Sequence, residues 1–113
     1  MHKSLLLVYT DVEPEHEEDF NRWYDDVHLP DVLSADGFIS ARRYKLQGPE
    51  PRNQQPASRY LAVYEIDTDD TKAAMASLGA ALARVGDRAS HPQMRVDSAS
   101  TYVALGDRQG SGA

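Results

Sequence analysis

An apolar stripe at helical spacing, followed by a glycine turn and a strand-like run, is the feature that most restricts how this chain can fold. The stripe lies on one helix face, at positions i, i+3, i+4 and i+7: Phe20, Trp23, Tyr24 and Val27. Pro30 disfavours helical geometry at Leu29, so we expect the helix to break or kink there, with one more short turn before Gly37. Residues 38–46, FISARRYKL, then form a predicted strand.

Three further strands and a second helix complete the predicted order. The strands cover residues 4–10, 60–66 and 100–105. The second helix is expected to be capped by Asp67 or Thr68. Its apolar stripe consists of Met75, Leu78, Leu82 and Val85. The order β-α-β-β-α-β predicts a ferredoxin-like α+β fold, in which both helices cover one face of a four-stranded antiparallel sheet.

The predicted elements fit one domain over residues 1–106. A chain of 113 residues is long enough for one hydrophobic core and too short for two. Residues 107–113 are rich in Gly and Ser and predict a disordered tail. Residues 47–58 contain several prolines and almost no apolar side chains, so we expect a long exposed loop there, with a second polar loop over residues 87–97.

Composition excludes several classes of function. The formal net charge of −6 and the pI of about 5.0 argue against binding to nucleic acid. The absence of cysteine excludes disulfides, thiol nucleophiles and zinc–thiolate sites. The apolar run near the N-terminus is too short for a signal peptide or a membrane span, so we expect a cytoplasmic protein with no membrane partner.

The predicted strands carry apolar side chains on both faces. In the first strand Leu5, Leu7 and Tyr9 point one way, while Leu6 and Val8 point the other. Two helices can bury only one face, and monomers rarely expose apolar patches of more than a few hundred Å². We therefore expect a homodimer whose two sheets pack face to face and close a small barrel. The alternative is a monomer whose proline-rich loop folds over the sheet.

The third strand suggests which face would line that barrel. The aliphatic Leu61 and Val63 suit packing against helices, which would turn Tyr64 into the barrel, together with Tyr9 and Tyr102. A concave apolar surface with a few hydroxyl groups is typical of small-molecule pockets. The alternative is that these tyrosines only fill the dimer interface.

His28 is the predicted acid/base residue, because an unperturbed imidazole titrates near pH 6.5. The helix end and neighbouring carboxylates favour its protonated form, whereas burial beside Trp23 and Tyr24 favours the neutral form. The alternative role is structural, with the imidazole capping the helix C-terminus. His16 and His91 are weaker candidates, in an acidic turn and in a solvated loop that could act as a lid.

Arg43 is the predicted anion-binding residue, since a guanidinium can hold a carboxylate or stabilise an oxyanion. Arg42 and Arg43 point to opposite faces, so at most one can enter the pocket. Tyr64 or Tyr102 could donate a hydrogen bond to a substrate carbonyl. Each of these side chains also has a structural alternative, as a surface ion pair or as packing. No metal site and no cofactor are expected, because no suitable spacing or phosphate-binding loop occurs.

The residues around His28 resemble the EthD-like family of the dimeric α+β barrel superfamily. The resemblance is carried by Phe20, Trp23, Tyr24, His28, Pro30, Gly37, Phe38, Arg43 and Tyr44. It implies a dimeric barrel, and it implies that His28 lines a pocket, as a histidine near the end of the first helix often does in such relatives. Related barrels include decarboxylases, lactone isomerases, polyketide cyclases and cofactor-free monooxygenases.

Three functions are compatible with these residues. The first is a cofactor-independent enzyme of lyase or isomerase type, in which His28 moves a proton on a small carbonyl compound such as an aromatic, lactone or polyketide-derived acid. The second is a non-catalytic dimer that binds a small ligand or acts in stress. The third is a small oxygenase.

Overall fold

A computed structural model describes residues 3–48 and 58–112 and contains one four-stranded antiparallel sheet. The strands are β1 (Lys3–Asp11), β2 (Phe38–Lys45), β3 (Tyr60–Asp67) and β4 (Arg95–Val103), in the spatial order β2-β3-β1-β4. All three neighbouring pairs are antiparallel, and the helices pack on one face of the sheet. The predicted ferredoxin-like β-α-β-β-α-β fold is confirmed.

The first helical segment runs without a break from residue 14 to residue 33. It consists of a 3-10 turn (Pro14–His16), α1 (Glu17–Trp23), a π turn (Tyr24–His28) and α2 (Leu29–Leu33). The predicted break at Leu29 is wrong. The Leu29 N–H donates to the Tyr24 carbonyl in the wider π pattern, and this widening accommodates Pro30, which has no N–H and whose ring clashes with a regular helical turn.

In the second half of the chain, the ends of a helix and a strand also differ from their predicted positions. Helix α3 covers Thr71–Val85, and a 3-10 turn follows at Gly86–Ala89. Its N-cap is Asp70, whose carboxylate accepts the Ala73 N–H at 3.0 Å, so the predicted caps Asp67 and Thr68 are wrong by two or three positions. Strand β4 likewise begins at Arg95, earlier than predicted.

The face of β3 that packs against the helices is the reverse of the predicted one. Tyr60, Ala62, Tyr64 and Ile66 are buried, whereas Leu61 and Val63 are only partly buried on the other side. The helix supplies aromatic partners for these tyrosines: Phe20 lies edge-on to Tyr60, with 5.4 Å between ring centroids. The bulky phenols fill the layer between helix and sheet, and the aliphatic side chains are left outside.

The other side of the sheet, which we term the open face, has no helix over it. By strand register it carries apolar and aromatic side chains together with the charged Arg42 and Glu65; the apolar and aromatic ones are Leu5, Leu7, Tyr9, Tyr44, Leu61, Val63 and Tyr102. Several are well exposed, including Tyr44 at 47% and Tyr102 at 56%. The predicted loop over residues 47–58 and His2 lie almost entirely outside the described residues. Within the described ranges, no helix combines the length and apolar character needed to cross a bilayer.

Candidate functional site

His28 lies in the π turn, enclosed by two aromatic rings of its own segment. Its imidazole stacks on the Trp23 indole, with centroids 4.7 Å apart and planes 20° from parallel, and meets the Tyr24 ring edge-on at 4.9 Å. The π turn replaces the regular helical spacing between these residues. The Nδ1 atom of His28 is buried and has no hydrogen-bond partner among the described residues. A buried polar atom left unpaired costs about 1–3 kcal/mol and calls for an explanation such as a water molecule or a ligand.

Burial lowers the pKa of His28 to about 4, with the positive charge of Arg43 acting in the same direction and Asp31 acting against both. Of the opposing influences expected from the sequence, desolvation therefore prevails, and the imidazole is neutral at pH 7. The proposed helix cap is wrong, because the helix continues into α2 and His28 is not at a C-terminus. His28 thus presents a neutral ring whose buried Nδ1 has no hydrogen-bond partner within residues 3–48 and 58–112.

Arg43 enters the helix side of the sheet and stacks on the other side of this aromatic group. Its guanidinium carbon lies 4.4 Å from the centroid of the Tyr24 ring. It donates to Asp25 at 2.9 Å and to the Asn21 side-chain oxygen at 2.8 Å. Arg43 also lines a cavity of about 220 Å³ at the β2 edge, so part of its surface remains accessible. The ion pair with a carboxylate, expected as an alternative, is present.

Tyr24 and Tyr64 meet in the centre of the core. Their hydroxyl oxygens are 3.3 Å apart, and burial raises the pKa of both phenols. Both therefore stay protonated at neutral pH and can act only as hydrogen-bond donors or acceptors. Tyr24 connects the two charged or titratable groups of the site, since its ring contacts both Arg43 and His28.

The sheet divides the predicted site residues into two groups. Trp23, Tyr24, His28, Arg43 and Tyr64 come together between the helices and the sheet. Tyr9 and Tyr102 lie on the open face, as the strand pairing shows. Tyr9 of β1 is opposite Leu61 of β3, and Tyr102 of β4 is opposite Leu5 of β1. Tyr9 borders a cavity of about 330 Å³, and Tyr102 borders another of about 420 Å³. The seven residues do not surround a single pocket within one copy.

His91, a weaker candidate in the sequence analysis, also lies in this region. It is 7% exposed, so its interpretation as a solvated loop histidine is wrong. Its Nε2 lies 2.8 Å from an Asp19 carboxylate oxygen, and its ring contacts Trp23 at 5.6 Å. The partners are far apart in the chain, and no local pattern predicts such a contact.

Comparison with known proteins identifies the family. The family model described as "Domain of unknown function (DUF4286)" matches residues 3–82, from β1 into α3. The chain belongs to this family. The matched part contains His28 and Arg43, whereas His91 and β4 lie beyond it. No curated protein matches the chain.

Solved structures share the fold of this DUF4286 member at low sequence identity. A candidate monooxygenase from Shewanella loihica PV-4 has a TM-score of 0.66 and 10% identity, over 95% of this chain and 99% of that one. The heme-degrader MhuD from Mycobacterium tuberculosis, with two hemes bound in its active site, has a TM-score of 0.58 and 18% identity, over 94% and 99%. At these identities the likeness shows the fold alone.

An ethyl tert-butyl ether degradation (EthD) family protein from Bacillus halodurans is also among the matching structures. It has a TM-score of 0.49 and 16% identity, over 96% of this chain and 100% of that one.

Proposed function

We propose that this domain is a cofactor-independent enzyme that binds a small carbonyl compound on the helix side of its sheet, with His28 as the proton acceptor. The observation that carries the proposal is the buried Nδ1 atom of His28, which has no hydrogen-bond partner in the part of the chain that the structure describes. A neutral imidazole held between Trp23 and Tyr24 offers its lone pair to an acidic proton of a ligand.

The low pKa of His28 restricts the chemistry. A base with a pKa of about 4 is weak, so the proton that it accepts must be activated by an adjacent carbonyl group. His28 would take the proton from the carbon next to the carbonyl and return it to another position. The carbonyl oxygen carries the negative charge in between. Isomerisation and cyclisation of carbonyl acids contain such a step, whereas decarboxylation forms the same kind of intermediate by loss of CO₂ and needs only a proton returned to carbon.

Arg43 supplies the positive charge that this intermediate needs. Its influence at His28 is evident from the lowering of the pKa of that residue. The cavity of about 220 Å³ that it lines offers a place for a ligand carboxylate. Asp25 already pairs with the guanidinium, so the ligand would compete with an exposed carboxylate rather than bind a free cation.

Exchange of carbon-bound protons with heavy water tests the proposal without knowledge of the full reaction. The protein is incubated in D₂O with a panel of lactones, β-keto acids and hydroxyaromatic acids, and deuterium incorporation is followed by NMR. We expect His28→Phe to reduce exchange on an active compound by about 10²-fold or more. His16→Gln, at the exposed helix start, is the control. Unchanged exchange in a folded His28→Phe variant would refute the role of His28.

The low pKa of His28 also favours a second candidate, a non-catalytic binder of small acids. A neutral imidazole can accept a hydrogen bond from a ligand even where it takes up no proton. This function predicts that a ligand changes Trp23 fluorescence while no deuterium is incorporated. The third candidate, a small oxygenase, predicts a visible absorbance band after purification or after addition of heme, and loss of that band in His28→Phe.

We further infer that two copies pair through their open faces, so that the cavities beside Tyr9 and Tyr102 become enclosed. The support is the row of apolar side chains that the helices leave uncovered, with Leu61 and Val63 at its centre. Tyr9 and Tyr102 would then belong to the interface, or to a second compartment away from His28.

A further inference from the structure

The segment after α3, residues 86–94, crosses the first helical segment; we refer to it as the strap. It starts with the 3-10 turn Gly86–Ala89 and ends in a turn in which the Met94 N–H donates to the His91 carbonyl at 3.1 Å. Met94 packs against the core. The strap is therefore a folded element with its own contacts.

Arg88 fastens the strap on both sides of His28. Its carbonyl accepts a hydrogen bond from the Trp23 indole at 3.0 Å, and its guanidinium binds both carboxylate oxygens of Asp31 at 3.0 Å. Trp23 precedes His28 on the helical segment and Asp31 follows it. Arg88 therefore contacts the helical segment both before and after His28 in the chain.

His91 forms the second attachment. Its ring packs against Phe20 at 5.9 Å and Trp23 at 5.6 Å, and its Nε2 contacts Asp19 at 2.8 Å. Its Nδ1 accepts the Gln93 N–H at 3.1 Å, which leaves Nε2 to donate to the carboxylate. Trp23 is thus bounded by His28 on one side and by the strap on another.

The attachments of the strap are weaker than the contacts beneath it. Each attachment joins an exposed side chain to a largely buried one: Arg88 at 60% with Asp31 at 12%, and Asp19 at 73% with His91 at 5%. An ion pair that is open to solvent on one side is partly screened by salt. On the sheet side, by contrast, Tyr24 and Tyr64 are each about 1% exposed. The strap is therefore the covering element whose displacement costs the least free energy.

We propose that the strap is a releasable cover, which opens to admit a small ligand to His28 and Trp23. The need for an opening follows from the burial of His28 Nδ1, because nothing can bind that atom while the site is closed. The identity of the admitted ligand depends on the proposed function, whereas the opening itself does not. An experiment can therefore refute the opening of the strap without refuting the proposed function, and the reverse is also possible.

Two probes report the opening without any ligand. Trp23 is the single tryptophan of the chain, so acrylamide quenching of the fluorescence reports its exposure. Site-resolved mass spectrometry after treatment with diethyl pyrocarbonate reports access to the His28 ring. We expect Arg88→Gln to raise both the quenching constant and the His28 labelling rate by about two- to five-fold, because the variant loses the ion pair with Asp31 that attaches the strap. Asp19→Asn, at the other attachment, should act in the same direction.

Arg22→Gln is the matched control, since it removes an exposed ion pair with Glu18 on the same segment without touching the strap. It should change neither probe. Hydrogen exchange of the β1 amides should stay at the wild-type level in every variant, which separates strap opening from global unfolding.

The inference is overturned if His28 labelling in Arg88→Gln equals the wild-type rate, even where Trp23 quenching rises. It is also overturned if β1 exchange rises in parallel with the labelling. Increased labelling together with an absence of deuterium exchange on every compound would support the cover and refute the proposed enzyme.

Discussion

The two faces of the sheet use their side chains in opposite ways. On the helix side, phenols are buried and paired, as in the contact between Tyr24 and Tyr64. On the open face, aliphatic side chains such as Leu61 and Val63 remain partly accessible, and Tyr102 is 56% exposed.

This comparison separates chemistry from association. Burial of aromatic and titratable groups produces the neutral His28 and the stacked Arg43, which are features of a reactive or binding site. On the open face, Leu61 and Val63 lie among tyrosines and form an apolar area of the kind that another protein copy covers. Variants on each face, together with a pH titration, test whether the two faces differ in this way.

The largest expected effect is on the helix side. Ile66→Ala removes a side chain with 0% exposure, and we expect the free energy of unfolding to fall by about 2–5 kcal/mol. The control is Ile39→Ala, where the side chain is 52% exposed and the loss should stay below about 0.5 kcal/mol. Urea unfolding measures both. Equal losses would mean that the helix side is not the core.

The second effect is a dependence of stability on pH that arises from His28. Its folded pKa of about 4 lies below the ordinary 6.5, so between these values the unfolded chain binds more protons. Stability is then fully retained above pH 6.5 and falls by up to about 3 kcal/mol as the pH drops to 4.

In His28→Phe this contribution is absent, and the difference in unfolding free energy between wild type and variant should change across that window. Direct NMR titration of the imidazole gives an independent measurement. A midpoint near 6.5 in the folded protein would contradict the buried, neutral histidine.

The third effect concerns the open face. Leu61→Glu places a charge between Tyr9 and Tyr44, its neighbours by register, and a two-fold axis would bring two such charges together. We expect a homodimer in the wild type and a dissociation constant raised by about 100-fold or more in the variant. Sedimentation equilibrium measures both, with the exposed Lys72→Glu as control. A wild type that is monomeric at micromolar concentration would rule out the dimer.

The smallest effect compares one hydroxyl group on each face. Tyr64→Phe removes the buried contact with Tyr24 and should cost about 1 kcal/mol of stability. Tyr102→Phe, on the exposed side, should change stability by less than about 0.5 kcal/mol. Thermal unfolding of the two variants under one condition measures the difference. If Tyr102→Phe costs more stability than Tyr64→Phe, the buried hydroxyl contact would lie on the open face, contrary to the structure.

Much of the fold could be predicted because it depends on local periodicity. The stripe at Phe20 and its neighbours predicts a helix, and the apolar runs predict four strands. Gly37, with φ of 90°, supports the turn into β2 that an L-residue would adopt only with strain. The helix through Pro30 was not predictable in this way, since a π turn has no distinct sequence pattern.

The candidate site was predictable only in part. His28, Trp23 and Tyr24 are close in the chain, and their contact follows from one helical segment. The pairing of His91 with Asp19 joins distant segments and depends on how α3 returns to the first helix. The separation of Tyr9 and Tyr102 from His28 depends on strand parity, which the sequence left open.

The sequence by itself determined the order of elements, because hydrophobic spacing and glycine positions act over a few residues. Only the tertiary structure decided which side of β3 meets the helices. Both sides are apolar, so the choice depends on filling the space beneath Phe20 and Tyr24, which the phenols of Tyr60 and Tyr64 do. The neutral state of His28 follows from the same packing, since burial prevails over the nearby carboxylate only when the layers close.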